Sequence, residues 1–114
     1  MTMVDEQTET VAVCEVERLI PGRGAAALLP DGRQVAIFRT TDDEVYALSN
    51  VDPFARAAVL SRGIIGDANG VPMVTSPLLK QRFDLKTGQC LDDESVAIRT
   101  YEVQIVDGVV HVRP

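Results

Sequence analysis

An antiparallel β-sandwich or barrel is the fold class this sequence predicts, and three observations predict it. Short apolar segments alternate with turn-forming residues along most of the chain. Residues 24–49 read as a meander of three strands joined by tight turns. Thr100–Val106 and Val109–Arg113 read as a hairpin closed by Asp107-Gly108, a dipeptide suited to two-residue turns because both positions tolerate positive φ.

The elements follow in chain order. Residues 11–19 form a first strand of mixed polarity. Residues 24–29 are small and apolar and end at Pro30-Asp31-Gly32, where proline presets φ and glycine is free to take positive values. Residues 33–39 (RQVAIFR) are a continuous apolar run between arginines, the pattern of a buried strand. After a turn at residues 40–43, residues 44–49 (EVYALS) return as its hairpin partner. The middle of the chain holds more proline, glycine and charge. Residues 55–60 have room for one helical turn, but Pro53 and Gly63 bracket them too closely for a helix. Residues 66–70 (GDANG) read as a turn, and residues 92–95 (DDES) as a solvated loop. In Thr100–Val106, Tyr101, Val103 and Ile105 share one face; in Val109–Arg113, Val110 and Val112 share one, which leaves His111 facing solvent. The reading is one domain over residues 10–114 with an inserted loop subdomain over about 50–92. Residues 1–9 offer little apolar surface to repay ordering and read as a flexible tail.

Composition narrows the function. The net charge of −6 and a pI near 4.6 argue against a nucleic-acid binder held by phosphate contacts. No apolar run approaches the ~20 residues of a membrane helix, and the polar, acidic start MTMVDEQTETV lacks the basic and apolar parts of a secretory signal, so a cytoplasmic address is expected. The charge is uneven. Between Asp52 and Lys86 five cations face three anions, which leaves that stretch about +2 and the rest about −8.

Several chemistries lack their residues. One histidine, on a late strand, supports no Ser-His-Asp or Cys-His arrangement. No glycine-rich phosphate cradle occurs. Cys14 and Cys90 fit no Cys-x-x-Cys motif and read as inert thiols. The acidic runs at residues 42–44 and 92–94 lack the spacing of a calcium loop and read as turn solvation.

Two stretches stand out, YALSNVDPFARAAVLSRG (residues 46–63) and VTSPLLKQRFDLKTGQCL (residues 74–91). Together they resemble the two cluster loops of Rieske-type iron–sulfur domains, where a Cys-x-His loop and a Cys-x-x-His loop give two thiolates to one iron and two imidazoles to the other. Both loop prolines, Pro53 and Pro77, and the Arg82-Phe83 and Thr87-Gly88 flanks match that pattern. The four ligand positions do not: they hold Asp52, Phe54, Ser76 and Leu79. The resemblance implies a Rieske-type β-sandwich or barrel whose cluster site is degenerate, with no cofactor or metal in this chain. Phe54 and Leu79 are expected to plug the space of the missing imidazoles, and Asp52 and Ser76 to accept backbone N–H bonds in place of sulfur.

Within that family, the VLSRGIIGD and SPLLKQRFDLKTGQCL segments resemble the small subunit of bacterial NAD(P)H-dependent assimilatory nitrite reductase. What this implies is a non-redox accessory chain beside a large subunit carrying FAD, an iron–sulfur cluster and sirohaem, the complex reducing nitrite to ammonium with NAD(P)H. The isolated chain would not be catalytic, and no catalytic residue is assigned. The cations Arg56, Arg62, Lys80 and Arg82 are the expected contact. Two alternatives remain open: a ligand-less Rieske-like module serving another oxidoreductase, and a ferredoxin-type electron carrier.

Overall fold

The structure, a computed structural model, describes residues 10–114, so the expected tail lies outside the described residues. Among the described residues eleven strands make three antiparallel sheets. They are β1 (Val11–Glu15), β2 (Arg23–Leu28), β3 (Gln34–Arg39), β4 (Val45–Ser49), β5 (Val51–Asp52), β6 (Ala57–Ala58), β7 (Ile64–Ala68), β8 (Val71–Thr75), β9 (Arg82–Asp84), β10 (Thr100–Val106) and β11 (Val109–Arg113). A six-stranded sheet in the order β1-β11-β10-β4-β3-β2 curls into a nearly closed barrel. The loop region adds the two-stranded β5-β6 and the three-stranded β7-β8-β9. Among the described residues no helix is long and apolar enough to cross a membrane.

The continuous apolar run of β3 has a direct cause: the strand is buried on both faces. Val35 and Ile37 enter the barrel core with Leu19, Leu29, Val110 and Val112, while Ala36 and Phe38 enter a second core with Leu60, Val74 and Phe83. Strand β4 divides in the same way, Ala47 inward and Leu48 outward. These two strands form the wall between the barrel and the loop region. A strand that alternates between two apolar environments has no polar face, so the period-two signal disappears from its sequence.

The meander and the hairpin are as expected. Strands β2, β3 and β4 pair in sequence, and β10 pairs with β11 around Asp107 (φ 52°) and Gly108 (φ 77°). Four expectations need correction. The first strand stops at Glu15, because residues Val16–Arg18 turn as a 3-10 helix that lets Leu19 drop into the barrel core. Residues 55–60 form no helical turn; they carry β6, and a 3-10 turn follows at Leu60–Arg62. Residues 66–68 of GDANG belong to β7, and only Asn69 (φ 55°) and Gly70 (φ 89°) turn, into β8. His111 is half-buried, its Nδ1 3.1 Å from Thr10 Oγ1.

Candidate functional site

The two loops singled out by the sequence meet at one end of the molecule. Their bases are tied by side chains of high sequence separation. Asn50, 1% exposed, is the strut of the first loop: its Oδ1 accepts from Ser61 N at 2.7 Å and its Nδ2 donates to Gln34 Oε1 at 3.1 Å. Its backbone oxygen accepts from Leu60 N at 3.0 Å, so both ends of the loop close on one residue. The sequence reading passed over Asn50. Its signal is a lone amide between the end of a buried strand and Asp-Pro, where an apolar residue would leave Ser61 N unpaired.

At the tip, Asp52 and Ser76 are each fully buried. Asp52 Oδ1 accepts from Phe54 N at 2.8 Å and from Ala55 N at 3.3 Å, an Asx turn that sets the path after Pro53. Asp52 Oδ2 accepts a hydrogen bond from the Ser76 hydroxyl, so the two loops are joined directly at two of the four positions the resemblance singled out. Asp52 thus takes backbone N–H bonds as expected. Ser76 does not, because its hydroxyl is used as a donor to the carboxylate.

The other two positions diverge. The Phe54 ring is half-buried and packs on the second core, 6.2 Å centroid to centroid from Phe83 at an interplanar angle of 44°, a tilted aromatic pair. Leu79 fills nothing: it is 53% exposed, beside Leu78 at 52%. The chain turns sharply at Lys80 (φ 69°), whose Nζ donates to Pro77 O at 3.1 Å, and this turn holds both leucines outward. Arg56 sits in the same left-handed region (φ 55°), four residues after Asp52 as Lys80 is four after Ser76.

The expected cations do not stand alike. Arg56, Arg62 and Lys80 are exposed and in no ion pair among the described residues. Arg82 is engaged: its guanidinium donates to Asp92 Oδ1 at 2.8 Å and its backbone N to Oδ2 at 2.8 Å, which holds the Asp92 carboxyl below the usual carboxylate range. Cys90 is buried behind this pair, and burial raises the Cys14 thiol.

A 2Fe–2S cluster does not fit these residues. A phenyl ring and an isobutyl group have no lone pair to give iron, and the carboxylate and hydroxyl opposite are already committed to each other and to backbone amides. No group of three or more His, Cys, Asp or Glu is placed to hold a metal among the described residues.

Residues 9–113 match the Rieske-like [2Fe-2S] domain family. The nitrite reductase (NADH) small subunit of Salmonella typhimurium is 47% identical over 102 residues, covering 89% of this chain and 94% of that protein. The NMR structure of the E. coli protein NirD superposes with a TM-score of 0.83 at 45% identity, covering 91% of this chain and 94% of that one. The nitrite reductase NAD(P)H large subunit of Klebsiella oxytoca contains a related segment, 44% identical over 101 residues, which is 89% of this chain but 10% of that protein. The chain belongs to the Rieske-like domain family and is homologous to nitrite reductase small subunits.

Proposed function

We propose that this chain is the non-redox accessory subunit of an NAD(P)H-dependent assimilatory nitrite reductase, binding a large subunit that carries FAD, an iron–sulfur cluster and sirohaem. The observation that carries the reading is the buried Asp52–Ser76 hydrogen bond, which closes the loop tip on itself where a cluster would have to be gripped. With no electron carrier at the tip, what the tip offers is a surface. Val51, Leu78 and Leu79 stand exposed there, with Arg56 and Lys80 beside them. Apolar side chains rimmed by unpaired cations are the anatomy of a docking patch. Arg82 leaves the expected contact set, because Asp92 already neutralises it.

The Klebsiella relative supports the partnership, since there a segment like this chain is part of the large subunit itself. In this reading the isolated chain is not catalytic and works in the cytoplasm, where free thiols such as Cys14 and Cys90 persist.

The test joins two measurements on the purified full chain: iron content with a visible spectrum, and recovery of nitrite reduction when the chain is added to its separately purified large subunit. Less than about 0.1 iron per chain together with a gain in activity supports the proposal. Stoichiometric iron with charge-transfer bands refutes the non-redox part. A large subunit that neither binds the chain nor responds to it refutes the accessory part.

A further inference from the structure

Beside the tip lies a groove that neither the fold nor the loop chemistry explains. It runs between the start of β2 and the 3-10 turn at Leu60–Arg62, encloses about 450 Å³, and is lined by Gly22, Arg23, Gly24, Ser61, Arg62 and Ile64 among others. Its floor is backbone held close by glycine. A Cβ on Gly24 would lie 2.7 Å from Ser61 O, and one on Gly63 2.4 Å from Thr75 O, so neither wall could approach as it does with any other residue.

The two arginines on its walls are both exposed, and among the described residues neither forms an ion pair, while Arg18, Arg33, Arg39, Arg82 and Arg113 each do. Two bare isoleucines stand by them. Ile64, on the rim, is 73% exposed, and Ile20, whose carbonyl accepts from Arg23 N at 3.0 Å, is 59% exposed. Paired guanidinium forks beside aliphatic side chains match a carboxylate carried between apolar residues. The fork binds both carboxylate oxygens, and the isoleucines keep water away.

The backbone argues against a free phosphate as the occupant. Phosphate sites draw on unpaired N–H groups, and most of those lining the groove are spent. Gly22 N donates to Arg39 O, Arg62 N to Val59 O, Gly63 N to Leu60 O and Ser61 N to Asn50 Oδ1. A second copy of this chain related by a twofold axis would set arginine against arginine. The groove's rim is tied through the sheet to the second loop, because Ile64 pairs across β7–β8 with Thr75, the residue before Ser76.

We infer that this groove is a receptor for an acidic side chain flanked by apolar residues on the large subunit, anchored by Arg23 and Arg62. The inference rests on the accessory-subunit reading and extends its docking face from the tip along the flank. The test measures affinity of the full chain for its large subunit by surface-immobilised titration, with Arg23→Glu/Arg62→Glu, Ile64→Asp and, as a control cation elsewhere, Lys86→Glu. The expected result is at least a thirtyfold loss for the double charge reversal, a loss for Ile64→Asp, a change within twofold for the control, and a flatter salt dependence in the double variant. Because both arginines are exposed and unpaired, the variant should melt with the parent chain, and a milder Arg23→Gln/Arg62→Gln variant should lose part of the affinity. If the parent chain binds and the double reversal binds equally well, the groove inference is overturned and the accessory reading survives. The groove inference is overturned in the same way if inorganic phosphate protects the groove from arginine modification while leaving complex formation unchanged, or if the variants alter only self-association. If the parent chain itself does not bind, both readings fall.

Discussion

Replacing Asp52 by alanine tests the idea that the loop pair stands by its own hydrogen bonds. The carboxylate is fully buried and serves three donors: the Ser76 hydroxyl, Phe54 N at 2.8 Å and, more weakly, Ala55 N at 3.3 Å. Truncation leaves the fully buried Ser76 hydroxyl and the part-buried Phe54 amide without partners. Each orphaned group costs about 1–3 kcal/mol, and relief from burying a charge returns part of that. The net expectation is a loss of about 2–4 kcal/mol. In a chain of 114 residues this corresponds to roughly 8–16 °C in melting temperature.

Asp52→Asn should cost less, about 1 kcal/mol, because the amide oxygen still accepts from Phe54 N and its NH₂ can donate to Ser76 Oγ. Ser76→Ala removes one donor and leaves one carboxylate oxygen unpaired, so about 1–2 kcal/mol is expected. Since both side chains share one bond, the double variant should cost less than the sum, with a coupling of about 1–2 kcal/mol. Urea denaturation followed by far-ultraviolet circular dichroism measures all four proteins. A cost below about 0.5 kcal/mol for Asp52→Ala, or additive single and double variants, would refute the claim that this bond joins the loops.

Other perturbations reach separate parts of the molecule. Phe54→Ala, which strips a half-buried ring from Phe83, should cost about 1.5–2.5 kcal/mol by denaturation and leave the exposed tip leucines unaffected. Leu78→Asp/Leu79→Asp should leave the melting temperature within error, since both side chains are more than half exposed, and should weaken large-subunit binding at least tenfold in a titration; unchanged binding would remove the tip from the contact. Gly88→Ala combines a φ of +79° with a Cβ placed 2.1 Å from Ile98 O, so a loss of about 3 kcal/mol or more is expected in a melting assay. Tyr46 is expected to titrate at about 12, raised first by burial and then by its hydrogen bond to Glu44 at 2.5 Å. An unfolded tyrosine ionises near 10, so its contribution is complete below pH 10 and lost as the pH rises toward 12; phenolate absorbance in a chain with two tyrosines and no tryptophan measures this, and Glu44→Gln should lower the value.

How much the sequence revealed depended on whether a signal was local. Asp107-Gly108 and Asn69-Gly70 are the same device, both residues at positive φ between two antiparallel strands. The first was legible because a clean alternation leads into it. The second was absorbed into a supposed five-residue turn, since Gly66 and Asp67 look like turn residues yet lie in β7. At the site, the loop pair and the four positions Asp52, Phe54, Ser76 and Leu79 were picked out by the resemblance to Rieske-type cluster loops. What each replacement does was not, because it is decided across the fold. The Asp52–Ser76 bond spans 24 residues and the Arg82–Asp92 pair spans 10. Leu79 was assigned a plug from its ligand position, but the left-handed turn at Lys80 directs it to solvent.

Since the residues at the tip do not fit a cluster, a physical question follows: what holds the two long loops together? A cluster bound by four side chains would tie them by coordination. Here three weaker ties act in its place. The Asn50 strut closes the first loop on its own base, the Ser76 N to Gln81 O bond at 2.9 Å closes the second, and the Asp52–Ser76 bond joins them. Beneath, Leu60, Val74, Phe83 and Leu85 lock the loop sheets onto the back of β3 and β4 in a core that needs no metal. Those ties are all interior, so the outermost side chains no longer serve coordination geometry. That freedom accounts for Leu78, Leu79, Arg56 and Lys80 at the tip, none of which the fold uses for packing or internal ion pairing. Exposed apolar and cationic residues that the core does not use are what a contact surface would present, and the Arg23–Arg62 groove carries the same signature.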